Sequence, residues 1–337
     1  MHNILTIPSN IINYTVQYAN SLAEVEEFIE SQKAIVVIDE LVAQLYPTLC
    51  TPDSIRISAI ETNKTLQGAS DLSQLLIDRR ANIKTKLIAI GGGIIQDLVG
   101  FTASIYCRGI DYIYIPTTLL SQADSCIGGK TSINHANRKN ILGTFYPPET
   151  IILYPGFVNT LTTTDYFSGW GEIYKFHILQ GMMSDFSLSN AESSIINGLS
   201  YKANILALDE FDQGERRYLN FGHTFGHALE TTSNHAIPHG LAVILGCMIA
   251  TKVAYKMGYV VKDHNLILSE GIRLIRLSGL KLQQSWFEST QLLEVVKSDK
   301  KSTGELVMVL VDSKPNLVNI KNLGIVIESL NEVYESI

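Results

Sequence analysis

The chain has 337 residues, 46% hydrophobic and 18% charged, and its 26 Lys+Arg against 33 Asp+Glu give a formal net charge of -7. That length outgrows one small core and suits two domains of roughly 100–200 residues each, while the apolar content excludes a disordered chain. An acidic balance excludes a nucleic-acid scaffold, which needs a basic surface against phosphates, and taken alone it also speaks against a polyanionic ligand.

Short β-branched runs alternate with helical patterns through the first half. AIVVID (34–39), SIRISAI (54–60), KLIAI (86–90), YIYIP (112–116) and IILY (151–154) read as strands, and 21–30, 68–82 and 94–106 carry helical periodicity. Strand, helix, strand in series predicts a parallel, doubly wound α/β sheet, a Rossmann-like domain over 1–160. After about Thr160 the texture becomes helical, at 169–180, 189–208, 215–232, 240–257, 265–277 and from Ile325 onward. Only 306–310 and 317–320 look like strands there, so 161–337 is expected to be a mainly helical domain. The junction near 155–165 has Pro155, Gly156 and TLTTTD but no long linker, which predicts closely apposed domains with a cleft.

Cys50, Cys107, Cys126 and Cys247 form no CxxC pair and read as buried small hydrophobes in a reducing compartment. No basic-then-apolar leader pattern is visible, and the apolar run 240–251 ends at Lys252, too short to span a bilayer. A cytoplasmic location, with no membrane or nucleic-acid partner, is the expectation.

The strand 86–90 runs into Gly91, Gly92 and Gly93 at the start of a helical pattern. Glycines at such a turn let a diphosphate approach backbone amides and the helix N-terminus, although the spacing is not GxGxxG and a tight turn would also use them. Asp39 ends another strand, where a carboxylate can bind ribose hydroxyls and favour NAD over NADP, or serve as an ordinary loop acid. Thr117, Thr118, Asp124, Lys130, Asn134, Lys139 and Asn140, interleaved with Gly128 and Gly129, make 116–140 a candidate ligand loop. It is not a Walker A motif, because Asp124 stands where the first glycine belongs. In LNFGHTFGHALE (219–230), His223 and His227 are four apart on one helical face and suggest two ligands of one metal. His239 and Glu172 complete an inventory suited to an open catalytic zinc site. His2, His135, His177, His235 and His264 read as structural or surface residues.

Taken together, GGGIIQDLVGFTASIYCRG, IPTTLLSQADSCIGGKTSIN, KNILGTFYPP, GEIYK and LNFGHTFGHALE, followed by HG and SDKK, resemble the 3-dehydroquinate synthases of the sugar-phosphate cyclase superfamily. The resemblance runs in order from about Asp39 to Lys301. It implies a Rossmann-like plus helical fold, NAD, Zn²⁺ with Co²⁺ as an alternative, and a homodimer. The implied reaction converts 3-deoxy-D-arabino-heptulosonate 7-phosphate into 3-dehydroquinate and phosphate, with NAD recycled.

By motif position the resemblance implies Glu172, His223 and His239 as metal ligands and turns His227 toward substrate. Asp39, Glu61, Lys64, Gly92, Gly93, Asp97, Thr117, Thr118 and Lys139 would lie around NAD. Substrate contacts would come from Asp124, Lys130, Asn140, Lys175, Lys202, Arg216, Asn220, His227 and Lys300 or Lys301, and Arg108 would reach the neighbouring subunit's site. Lys202 and Arg216 are the implied carboxylate contacts, Arg being suited to planar bidentate recognition, and they separate this chain from relatives that cyclise sugar phosphates without a carboxylate. An amino analogue of the substrate would fit equally well. An NAD- and metal-dependent polyol dehydrogenase is a competing class, disfavoured by so many cations, and a noncatalytic NAD-binding homologue is a third. The chain departs from the family at Gln96, where glycine is usual and crowding beside the cofactor is expected. Leu241 replaces an acid beside His239, Asp212 a Glu and Thr162 a Pro. Seven of the 26 Lys+Arg are thereby assigned to one site, so the acidic balance describes the outer surface.

Overall fold

A parallel strand needs a crossover of a dozen or more residues to reach its neighbour, and the alternating pattern of the first half supplies these crossovers. The computed structural model describes residues 1–136, 138–299 and 306–337, with the side chains of 297–299 left aside. The chain forms two units, Met1–Thr160 with Ala203–Phe211, and Leu161–Lys202 with Asp212–Ile337.

In the first unit the elements follow as β1 (His2–Ile7), β2 (Tyr14–Tyr18), α1 (Leu22–Ser31), β3 (Ala34–Asp39), α2 (Glu40–Leu45), β4 (Ile55–Ile57), α3 (Leu66–Asp78), β5 (Lys86–Gly91), α4 (Gly93–Ile105), β6 (Tyr112–Pro116), β7 (Lys130–His135), β8 (Arg138–Phe145) and β9 (Thr150–Leu153). Seven strands form one sheet in the order β1-β2-β9-β6-β5-β3-β4, parallel except for the β1–β2 hairpin. Val36, Ile38, Ile88, Ile90, Ile113, Ile115 and Ile152 are fully buried at its centre, as expected for a sheet covered on both faces. Capping sets the helix starts: Ser21 accepts from Glu24 N, and Thr65 accepts from Gly68 N.

Several expectations are corrected here. β1 and β2 were not legible, because their mixed polar and apolar residues carry no long β-branched run. The strand expected over 54–60 shortens to β4, and the segment 116–140 is not simply a loop. It contains a one-turn π segment, Ser121–Ser125, and enters the antiparallel hairpin β7–β8. Cys126 and Cys247 are buried, but Cys50 is only partly so, and Cys107 is exposed in a left-handed turn, φ +50°.

The second unit comprises α5 (Thr163–Leu179), most of α6 (Ala191–Leu208), α7 (His223–Thr232), α8 (His239–Lys256), α9 (His264–Ser278), α10 (Ser289–Asp299), the hairpin β10 (Leu306–Val311) with β11 (Pro315–Ile320), and α11 (Leu323–Ser336). α8 is apolar around most of its circumference because α5, α7, α9 and α11 pack around it. The helix expected over 215–232 is broken. A 3-10 turn, Glu215–Asn220, ends at an extended Phe221, and Gly222 in the left-handed region, φ +78°, starts α7 at His223. α10 was not anticipated. Among the described residues no helix is long and apolar enough to cross a membrane.

Candidate active site

Three side chains of the second unit converge. Glu172 on α5, His223 at the start of α7 and His239 at the start of α8 each place a ligand-type atom within 4.8 Å of the others. Glu172 Oε1 lies 3.5 Å from His223 Nε2 and 3.3 Å from His239 Nε2. The convergence has a backbone cause. α5 and α8 meet at Gly171 and Gly240, the immediate neighbours of Glu172 and His239. A Cβ on Gly171 would stand 2.1 Å from Gly240 O, and one on Gly240 would stand 1.7 Å from Ser168 O. Gly240 N donates to Ser168 Oγ at 3.0 Å, so the two helices touch through bare backbone.

Each imidazole is oriented through Nδ1, His223 against Phe221 O and His239 against Glu230 Oε2, both at 3.1 Å. A carbonyl or carboxylate oxygen only accepts, so Nδ1 carries the proton and a neutral ring turns the Nε2 lone pair toward Glu172. Three lone-pair-bearing atoms aimed at one another repel unless a cation lies among them. The donor set, two imidazole nitrogens and a carboxylate oxygen each oriented from behind, therefore fits Zn²⁺ or Co²⁺.

In the metal-free chain a proton on His239 takes the place of that cation. Burial works against ionised Glu172, but the Lys175 ammonium and the imidazoles outweigh it and hold the carboxyl well below its usual range. Burial lowers the His223 pKa to about 4 despite Glu172. Burial also opposes charge on His239, yet its bonds to Glu172 and Glu230 prevail and raise its pKa to about 10. Among the described residues a second set, His227, Glu230 and His239, shares one imidazole with the first. Neither set contains His223 and His227 together, so the metal pair suggested by their spacing is not the one the fold makes. Their rings meet edge-on, with centroids 5.3 Å apart.

Lys175, Lys202 and Arg216 are 1%, 6% and 4% exposed, an unusual concentration of buried cations. Lys175 forms a close ion pair with Glu172 Oε2 and lies over the Phe176 ring. Asn220 and His227 are exposed.

In the first unit β4 lies on one side of β3 and β5 on the other, so the strand order reverses between β3 and β5. Ligands of open α/β sheets bind outside the carboxyl ends at such a point. Asp39 and Gly91 end these two strands. Asp39 accepts from Leu41 N at 3.2 Å, and burial pushes its carboxyl up. Thr117 N donates to Gly91 O at 3.0 Å, and Thr118 Oγ1 is 2.8 Å from Ser121 Oγ. Beside them Lys64, 5% exposed, donates to Asp97 Oδ2 at 2.9 Å and to Asn140 Oδ1 at 2.6 Å, and lies 3.8 Å from Glu61. Asp97 Oδ1 accepts from Ser132 N at 2.9 Å, tying α4 to β7. Burial pushes the Asp97 carboxyl up, with Lys64 and Ser132 opposing.

Family comparisons assign residues 54–168 to the 3-dehydroquinate synthase N-terminal model and residues 171–302 to the 3-dehydroquinate synthase C-terminal model. The chain belongs to the 3-dehydroquinate synthase family. A 3-dehydroquinate synthase from Alkaliphilus metalliredigens (strain QYMF) is 34% identical over 311 residues, 86% of each chain. A solved 2-deoxy-scyllo-inosose synthase, complexed with carbaglucose-6-phosphate, NAD⁺ and Co²⁺, superposes with a TM-score of 0.82 at 22% identity, covering 97% of this chain and 99% of its own. A 2-epi-5-epi-valiolone synthase from Streptomyces hygroscopicus subsp. jinggangensis 5008, with NAD⁺ and Zn²⁺ bound, gives the same TM-score and identity over 97% of this chain and 98% of its own. These likenesses establish the shared 3-dehydroquinate synthase-like fold.

A dinucleotide fits the first unit of this family member at the β5–α4 turn. No side chain caps α4, and a Cβ added to Gly93 would meet nothing nearer than Ser121 Oγ at 4.0 Å. That space beside uncapped helix amides suits a diphosphate. Of the remaining expected residues, Lys130 and Lys139 are exposed on β7 and β8, and Asp124 lies in the π segment. Asn140 is held left-handed, φ +54°, by Lys64 and by its own N–H donating to Asn134 Oδ1. Arg108 is exposed on a left-handed turn, φ +67°, and Lys300 and Lys301 lie outside the described residues. Gln96, expected to crowd the helix beside the cofactor, turns its amide to Ser125. Sequence reasoning missed Glu230, whose place on the His223 helix was a usable signal. It also missed Ser132, which left no sequence signal because it acts through a backbone N–H.

Proposed function

We propose that this chain catalyses conversion of 3-deoxy-D-arabino-heptulosonate 7-phosphate into 3-dehydroquinate and phosphate, as a cytoplasmic homodimeric enzyme using NAD and Zn²⁺ or Co²⁺. The observation that carries the reading is the convergence of Glu172, His223 and His239 in a unit that also buries Lys175, Lys202 and Arg216. Glu172, His223 and His239 would hold the metal. Asp39, Gly92, Gly93, Thr117, Thr118, Glu61, Lys64, Asp97 and Lys139 would hold the dinucleotide. When bound, NAD takes up and returns a hydride, and the metal ion acidifies the substrate hydroxyl.

The chain's own residues bind and orient the substrate. Lys202 and Arg216 meet its carboxylate, the planar Arg fork suiting bidentate recognition, and their burial strengthens the contact in a low-dielectric setting. Lys130, Asn140, Arg108 of a neighbouring subunit and Lys300 or Lys301 bind phosphate. His227, exposed beside the other two imidazoles, is placed to move a proton, with Asp124, Lys175 and Asn220 orienting the sugar hydroxyls.

The test incubates purified protein with NAD, Zn²⁺ and the heptulosonate phosphate while phosphate and NADH are followed together. Phosphate release without net NADH is expected. Absence of phosphate from this substrate and its amino analogue overturns the reading, and net NADH from a polyol would assign the chain to the dehydrogenases instead.

A further inference from the structure

Gln96 is a polar side chain only 3% exposed, four residues into α4. Its Nε2 donates to Ser125 O at 2.6 Å, and Ser125 Oγ donates to Gln96 Oε1 at 2.8 Å. A carbonyl oxygen can only accept, so Ser125 O dictates which end of the amide faces it, and the hydroxyl then takes the other end. The result is a closed two-bond ring between α4 and the last residue of the π segment Ser121–Ser125.

That segment is short and carries Asp124. Its i to i+5 bond, Cys126 N to Ser121 O at 3.0 Å, supports one turn, and helix ends leave carbonyls without helical partners. Gln96 takes the carbonyl of Ser125. Gln122 Nε2 donates to Pro116 O at 3.1 Å and to Tyr154 O at 3.0 Å, fastening the same turn to the ends of β6 and β9. Two buried glutamine amides thus fasten one π turn, Gln96 from α4 and Gln122 to the ends of β6 and β9. Unusual helical turns persist where their surroundings over-determine them, and they cluster at functional sites.

We propose that Gln96 is a positioning residue which, through Ser125, fixes the orientation of Asp124 and thereby sets affinity for the sugar-phosphate substrate. The inference rests on the function proposed above. Alanine at position 96 removes both bonds, and glutamate keeps the size but sets an oxygen against Ser125 O. Neither substitution changes a side chain placed around the dinucleotide or the metal.

Steady-state kinetics and amide hydrogen exchange of Gln96→Ala, Gln96→Glu, Ser125→Ala and the Gln96→Ala/Ser125→Ala double variant form the test. Expected are a rise in KM for the heptulosonate phosphate of about 5- to 10-fold in both Gln96 variants, kcat within about 2-fold, and unchanged NAD affinity. The double variant should be no worse than Gln96→Ala, since both act on one ring. Exchange should quicken across 121–127. Unaltered KM in both Gln96 variants of a protein that releases phosphate overturns the inference and spares the function. Equal falls in kcat, NAD affinity and thermal midpoint would show a merely structural residue and overturn it too. If the unaltered protein releases no phosphate, the function fails separately, and exchange across 121–127 that ignores Gln96 overturns the clamp itself.

Discussion

In the first unit, functional side chains hang from strand ends, a π turn and a hairpin, and other side chains hold them. Lys64 gathers Asp97 and Asn140, Asp97 reaches across to Ser132, and Gln96 holds Ser125. In the second unit the metal-type group stands at helix starts and on a helix interior, and backbone touching backbone sets its spacing at Gly171 and Gly240. A network of side chains can lose one member and relax. A helix crossing with no room for a methyl group cannot, so damage should be graded in the first unit and nearly all-or-none in the second.

Gly240→Ala presses that contrast hardest. Its Cβ would sit 1.7 Å from Ser168 O, so α5 and α8 must part and carry Glu172 and His239 away from each other. Overpacking of this kind costs about 1–3 kcal/mol. Elemental analysis of the purified variant should find little zinc or cobalt, with phosphate release lost in proportion, and full metal content would break the contrast. Glu230→Gln is milder, because the Nδ1 partner of His239 changes while the crossing stays. Metal affinity should weaken by about 10- to 100-fold in a chelator competition.

Asp97→Ala probes the first unit. Lys64 would keep Asn140 and Glu61, so denaturant unfolding should show a loss of about 1–3 kcal/mol with NAD affinity reduced and metal content intact. Metal loss in that variant would show that the units do not differ as argued. The finest test concerns protons. With His239 at about 10 and His223 at about 4, the metal-free chain at pH 7 carries the extra proton on His239 and none on His223. Ligand imidazoles must be neutral, so metal binding at pH 7 should release about one proton, read by calorimetry in buffers of different ionisation heat. The released fraction should vanish as pH rises through 10.

The same contrast explains what the amino-acid sequence revealed. The central strands were legible because burial on both faces demands unbroken runs such as KLIAI, whereas β1, β2 and the β7–β8 hairpin mix polar and apolar residues and take their register from neighbours. The α8 pattern was legible as a helix because nearly every face is apolar. The break at Phe221 and Gly222 was not, since periodicity runs across it and only the left-handed glycine betrays it. Spacing alone paired His223 with His227. The partnership of His223 with Glu172 and His239 depends on a helix crossing between distant segments, which local pattern cannot express.

The bond from Gly240 to Ser168 spans 72 residues of chain. Contacts of such separation form late, after the intervening chain has paid its closure entropy. Glu172 and His239 therefore become neighbours only when α5 and α8 have docked. The moment at which refolding protein first captures a metal ion becomes a clock for that docking, readable by stopped-flow with a metal-sensitive dye.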